Sequence, residues 1–208
     1  MEPETETVHE GGGFNPPKPT TKGGPDYGRF VESVRTVSDL ARGVDAPDDV
    51  ITQAANLIEQ ANALLAPFDA DEWHSPSGRR LDLPNRGGVL NVPADVQVTD
   101  DGRIAGSVRF RRFHLGRNGA AHGGAIGLFF DSLLGQAAYR LTKSPFQRTA
   151  YLHINYRQIV PVERDLQATA TLERVEGRKI FLTGALLDGD TVLADTEALF
   201  VKLKPGQP

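Results

Sequence analysis

Gly116-Arg117-Asn118-Gly119-Ala120-Ala121-His122-Gly123-Gly124-Ala125-Ile126-Gly127-Leu128-Phe129-Phe130-Asp131 is the stretch whose reading decides the fold. A glycine-rich loop runs into His-Gly-Gly, an apolar run follows at once, and one carboxylate interrupts it nine residues after the histidine. From Ala125 to Leu141 the chain has helical length and composition, apolar at Ile126, Phe129, Phe130, Leu133, Leu134, Ala137 and Leu141. Gly123 and Gly124 would form its first turn. Backbone N–H groups there have no intrahelical partner and the helix dipole is positive, which favours developing negative charge on an oxygen. Asp131 falls on the helical stripe of Gly127, Leu128, Leu134, Gly135 and Ala138, where a carboxylate is costly to bury and needs a reason.

The charge map sharpens this reading. Between Gly102 and Val162 the chain holds Arg103, Arg109, Arg111, Arg112, Arg117, Arg140, Lys143, Arg148 and Arg157, and its only acid is Asp131. The whole chain has a formal net charge of -4, so this segment stands out as cationic. A lone acid beside a helix N-terminus and among bases suggests an anionic ligand whose reactive end meets a carboxylate. Two plainer readings stand beside it. Asp131 can be a buried ion-pair partner for one of the arginines, and His-Gly-Gly can serve only a tight helix entry. The fixed spacing of the two within one basic segment favours a site.

Working outward, a helix of about 20 residues from His122 spans ~30 Å, long enough to run along a whole sheet. Strands are expected at 95–99 and 103–110, flanking the turn Asp100-Asp101-Gly102, and at 149–160, 166–175, 179–187 and 191–203. Glu176-Gly177-Arg178 and Asp188-Gly189-Asp190 turn between the last three. Hairpin-linked strands with one long helix inserted imply an α+β fold, an antiparallel sheet wrapped around that helix. The domain so defined covers 86–208.

Before it, residues 1–28 are rich in Gly, Pro, Glu and Thr and are expected to be a disordered tail. Residues 29–85 read as a helical extension and loop, for packing or dimer support. One helix runs from Phe30 towards Gly43; a second has Pro47 in its first turn and stops at Pro67. Trp73 reads as a packed aromatic and His74 as a solvent residue, among loops with room for one short strand.

Several classes of function are excluded or disfavoured. Zero cysteines exclude disulfides, thiolate metal sites and cysteine nucleophiles, and fit a reducing compartment. No apolar stretch approaches the ~20 residues of a membrane helix. Met1-Glu2-Pro3-Glu4-Thr5-Glu6 lacks the apolar core of a signal peptide, so the cytoplasm is expected. His9, His74, His114, His122 and His153 show no metal-ligand spacing, and no metal or cofactor is expected. Ser132 adjoins Asp131 and points elsewhere on a helix, and no Gly-x-Ser-x-Gly elbow is present, so a serine triad is not supported. No phosphate loop or dinucleotide fingerprint occurs. The basic segment contains core elements and no nucleic-acid-binding motif.

His122-Gly123-Gly124-Ala125-Ile126 with Asp131 nine residues on from the histidine, followed by Thr149-Ala150-Tyr151-Leu152-His153-Ile154-Asn155-Tyr156-Arg157, resembles the hotdog-fold acyl-CoA thioesterases. The nearest types are the PaaI-like enzymes and the mammalian thioesterase-superfamily-member proteins, over roughly residues 86–203. The resemblance implies a hotdog fold and hydrolysis of an acyl-CoA to free acid and coenzyme A. It implies Asp131 as the catalytic carboxylate, general base on water or nucleophile on the thioester. Thr149 would hold the water or the carboxylate. The N–H of Gly123, with or without that of Gly124, would polarise the carbonyl, and His122 would orient the loop. The family's site is shared across a dimer, so a homodimer or a dimer of dimers is expected. A hotdog protein that binds acyl-CoA without turnover is the alternative.

Two positions sit less simply in the pattern. Asn118 is either a loop contact to substrate or a turn residue tolerating left-handed backbone. On a regular strand Thr149, Tyr151, His153, Asn155 and Arg157 share one face and Ala150, Leu152, Ile154 and Tyr156 the other, which would turn Thr149 away from the helix unless the strand start is irregular or the residue reaches a partner subunit. Phosphates of coenzyme A would find partners in Arg157, Arg178 and Lys179, with Arg111, Arg112, Arg117 and Arg140 as further candidates. Phe129, Phe130, Leu133 and Leu134 suggest an apolar acyl tunnel.

Overall fold

The computed structural model describes residues 18–144, 146–204 and 207. The described residues up to Leu90 form one unit and those from Asn91 another, against a boundary at 85/86 read from the sequence. Among the described residues no helix is long and apolar enough to cross a membrane.

The first unit carries α1 (Tyr27–Gly43) and α2 (Asp48–Leu65), with 3-10 turns at Ala66–Phe68 and Pro84–Gly87. Pro47 is the N-cap of α2 rather than a residue of its first turn, and Asp48 and Asp49 lie where the helix dipole favours negative charge. Residues 1–17 of the expected tail lie outside the described residues. The rest of that stretch has defined partners: the N–H of Thr20 donates to the carbonyl of Arg79 at 3.1 Å. Arg80, 5% exposed, gathers the carbonyls of Lys22 and Gly24 at 3.0 Å each while its guanidinium forks onto Asp82. Trp73 is exposed, unlike the packed aromatic its size suggested, and the loop residues 67–93 contain no strand. His74 is exposed and meets Asp71 at 2.7 Å.

The second unit is a six-stranded antiparallel sheet closed around one helix. Its strands are β1 (Ala94–Val98), β2 (Ile104–Arg109), β3 (Gln147–Tyr156), β4 (Asp165–Glu176), β5 (Lys179–Asp188) and β6 (Thr191–Lys202), in the order β1-β2-β4-β5-β6-β3. The helix α3 spans Gly123–Thr142. It buries Ile126, Phe129, Phe130, Leu133, Leu134, Ala137 and Ala138. They meet the sheet residues Ile104, Val108, Leu166, Ala168, Ile180, Leu182, Leu186 and Phe200. Each large side chain so buried contributes about 1.5–3 kcal/mol relative to exposure. Close approach of helix to sheet requires small residues: a Cβ on Gly184 would lie 3.3 Å from Leu134 Cδ2 and 3.0 Å from the Thr169 carbonyl oxygen. Phe129, Phe130, Leu133 and Leu134 are all in this core.

β3 is an edge. One of its sides pairs with β6 and the other pairs with nothing among the described residues. Its pairing also slips between Thr149 and Tyr151, where Ala150 bulges out. Thr149 pairs with Phe200, Leu152 with Ala198 and Ile154 with Thr196, all three partners buried on the helix side.

Candidate active site

One stripe of α3 faces β3 and β6 at intervals of four residues: Gly123, Gly127, Asp131 and Gly135. Tyr156 Oη lies 3.4 Å from the position a Cβ on Gly123 would take, Ile154 Cδ1 3.5 Å from that on Gly127, and Phe200 Cε1 3.7 Å from that on Gly135. Three positions without side chains let the strand lie close along the helix. Asp131 is the one carboxylate in that stripe, and Thr149 is its partner.

The Thr149 hydroxyl donates to Asp131 Oδ1 at 2.8 Å. A regular strand would point Thr149 away from the helix, as the parity of the sequence required. The bulge at Ala150 inserts one residue against the pleat and returns Thr149 to the side of Leu152 and Ile154. Asp131 is half-buried, Thr149 exposed, and Asp131 has no ion-pair partner among the described residues. The reading of Asp131 as an arginine's buried partner therefore has no arginine to support it. A carboxylate with one oxygen held by a hydroxyl keeps its other oxygen for a proton from water.

The start of α3 is fixed by its own loop. The N–H of Ala121 donates to the Val160 carbonyl at 2.7 Å and that of His122 to the His114 carbonyl at 2.8 Å. His122 is the N-cap: its Nδ1 accepts from the N–H of Gly124 at 2.9 Å, while its carbonyl takes the N–H groups of Ala125 and Ile126. Gly124 N–H is therefore occupied. Gly123 N–H alone in this turn has no partner among the described residues. An Nδ1 that accepts puts the ring proton on Nε2, so His122 in this tautomer can donate a hydrogen bond but has no free ring lone pair for a base.

Tyr156 is the residue that the sequence did not single out. Its hydroxyl donates to the Gly123 carbonyl at 3.0 Å. The available signal was its parity with Leu152 and Ile154, which places a polar tip on the helix side of the strand. His114 is a second such residue; its Nδ1 accepts from the N–H of Arg111 at 2.9 Å and its carbonyl anchors His122.

The basic residues do not converge on Asp131. Arg103 pairs with Asp101, Arg109 with Asp165 and Arg157 with Asp195 at 2.6 Å, while Arg140 donates to the Val96 carbonyl. The Arg157 guanidinium, and then the Asn155 amide, hold the Asp195 carboxyl below the usual carboxylate range. Arg178 donates to the Lys202 carbonyl at the β4–β5 turn, and Lys179 is opposite Val201, which in turn is opposite Arg148. Arg178 and Lys179 thus belong to the Thr149 end of the sheet, and Arg157 to the Gly123 end. Asn118 has left-handed backbone (φ 51°) in an exposed turn before Gly119. His153 is a surface histidine stacked on Tyr151 and meeting Glu197 at 3.0 Å. Among the described residues no cluster of histidine or carboxylate side chains could hold a metal.

Residues 118–194 match the family model of the thioesterase superfamily. Acyl-coenzyme A thioesterase THEM4 of Rattus norvegicus is 34% identical over 98 residues, 46% of this chain and 41% of the relative. That of Xenopus laevis is 34% identical over 92 residues, 43% and 40% of the two chains. The chain thus spans about two fifths of the length of these curated relatives. The crystal structure of a thioesterase superfamily protein superposes with a TM-score of 0.68 at 26% identity, over 90% of this chain and 97% of the other.

Proposed function

We infer that this chain, which carries a thioesterase-superfamily domain of the hotdog fold, hydrolyses acyl-CoA thioesters. The observation that carries the reading is the Thr149–Asp131 hydrogen bond on the stripe of α3 that begins with the unpartnered Gly123 N–H. Asp131 takes a proton from water, the hydroxide equivalent adds to the thioester carbon, and the C–S bond breaks to give carboxylic acid and coenzyme A thiolate. A thiolate leaves readily, so a carboxylate base and one oxyanion donor can suffice without a triad.

Asp131 and Gly123 are eight positions apart on α3, about 12 Å along its axis at ~1.5 Å per residue. One chain therefore cannot apply both groups to the same carbonyl. An antiparallel pairing of β3 with β3 of a second copy solves this. It sets the Thr149 end of one strand beside the Tyr156 end of the other, so Asp131 meets the partner subunit's Gly123. It also covers the open edge of β3. We assign a homodimer, or a dimer of dimers, on this ground.

In that pairing Arg157 of the partner subunit approaches the end that carries Arg148, Arg178 and Lys179. These are the groups we assign to the phosphates of coenzyme A, while Asn118 acts as a turn residue. The cysteine-free chain fits the reducing cytoplasm. The test is a thiol-release assay over acyl-CoAs of graded chain length and aromatic type. Turnover of apolar acyl groups is expected; saturable binding without thiol release would instead make the chain an acyl-CoA-binding protein.

A further inference from the structure

We propose that Tyr156 is a positioning residue of this site, holding the oxyanion donor in place through the Gly123–Gly124 peptide. The proposal rests on the hydrolase reading above, since it gives the Gly123 N–H its task.

The carbonyl of Gly123 and the N–H of Gly124 belong to one planar peptide unit. The first accepts from the Tyr156 hydroxyl at 3.0 Å and the second donates to His122 Nδ1 at 2.9 Å. The unit is thus held at both ends, by one side chain from β3 and one from the loop before α3. The next peptide back, His122–Gly123, carries the bare N–H. Only the two dihedrals of Gly123 separate that N–H from the held unit, and glycine restricts neither of them by itself. Helix ends fray, and two successive glycines make this end freer than most. A direction for the donor must therefore come from outside the helix, and the clamp supplies it.

The geometry of β3 explains why a tyrosine is the residue that reaches. Leu152, Ile154 and Tyr156 alternate onto the helix side, and the strand ends at Tyr156 beside the first turn. Its ring lies on the side of Gly123 where a Cβ would stand, with Cζ 3.5 Å from that position, and its hydroxyl meets the carbonyl at 3.0 Å. Phenylalanine would keep that contact and lose only the bond.

The experiment is Tyr156→Phe, measured in this chain of 208 residues alongside His122→Ala and the double variant. Loss of one hydrogen bond of about 1 kcal/mol predicts a kcat lower by roughly 3- to 10-fold, with KM within about two-fold and melting temperature unchanged. The hydrogen-exchange rate of the Gly124 amide should rise in Tyr156→Phe. Because both side chains hold one peptide, their effects on kcat should be non-additive, the double variant losing less than the product of the single losses. A merely structural role predicts a lower melting temperature with kcat intact. An active parent with an unchanged Tyr156→Phe kcat overturns the role of Tyr156 alone. A parent without turnover overturns the hydrolase reading, and the role given to Tyr156 with it.

Discussion

The hydroxyl of Thr149 and the carboxylate of Asp131 are joined at 2.8 Å although they come from the sheet edge and from the helix the sheet encloses. The bond leaves Asp131 oriented and, among the described residues, without an ion-pair partner. This combination suits a base, since an ion pair would lower its proton affinity and a wholly apolar site would neutralise it.

Asp131→Asn keeps the shape and can still accept from Thr149, but it removes the base. Turnover of acyl-CoA should fall by roughly 100-fold or more, the scale of general-base loss. The melting temperature should stay near the parent's, because no ion pair is broken. A variant that hydrolyses at the parent rate would remove Asp131 from the mechanism.

Thr149→Val replaces the hydroxyl with a methyl of similar size and leaves one carboxylate oxygen without its donor. A loss of about 1 kcal/mol in the transition state, near five-fold in kcat, is expected, with Thr149→Ser recovering most of it. Stopped assays of all three chains at saturating substrate decide this. Equal loss in the serine and valine variants would show that packing, not the hydroxyl, matters.

The two glycines of the first turn should respond differently to alanine. A Cβ on Gly124 would lie 3.1 Å from His122 Nδ1, whereas one on Gly123 finds 3.4 Å to Tyr156 Oη. Gly124→Ala must move the capping ring and should lower kcat more than Gly123→Ala does. The reverse order in measured kcat would contradict the assignment of His122 as the cap that holds this turn.

Much of this was legible before any coordinates. The long helix, its glycine-rich start and the hairpin turns of β4 to β6 all follow from local signals, namely apolar spacing and Asp-Gly or Gly-Arg turns. Asp131 was legible because an acid in an apolar stripe demands a reason. What stayed hidden depends on non-local pairing. The slip at Ala150 is set by the register of β3 against β6, which no local pattern of Gln147–Tyr156 announces. The clamp on the Gly123–Gly124 peptide needs Tyr156 and His122, 34 positions apart in sequence, to meet at one turn. The fate of the arginines was equally hidden, since their partners Asp165 and Asp195 lie outside the basic segment.

Acid should loosen the outer face of the sheet at one identifiable pair. The folded Asp195 carboxyl is held below its unfolded value, first by Arg157 and then by Asn155. Its contribution to stability is therefore complete above the unfolded value of about 3.9 and is lost as pH falls through the lower folded value. Melting curves of the parent and Asp195→Asn should differ at pH 6 and converge on going towards pH 2. A gap that stays constant over that range would mean the pair contributes nothing through charge.

The span of α3 between Gly123 and Asp131 carries a consequence for inheritance. If each catalytic centre draws its base from one subunit and its carbonyl-polarising group from the other, the unit of function is a pair of half-genes. Two defective alleles, one encoding Asp131→Asn and one carrying a proline at Gly123 that deletes the N–H, would each be null alone. Co-expressed, their mixed dimer combines both lesions in one centre and neither in the other. Such a mixture should recover about half the turnover per mixed dimer, whereas a centre built within a single chain would recover none. Complementation between nulls would thus report, from genetics alone, that two chains meet at each substrate.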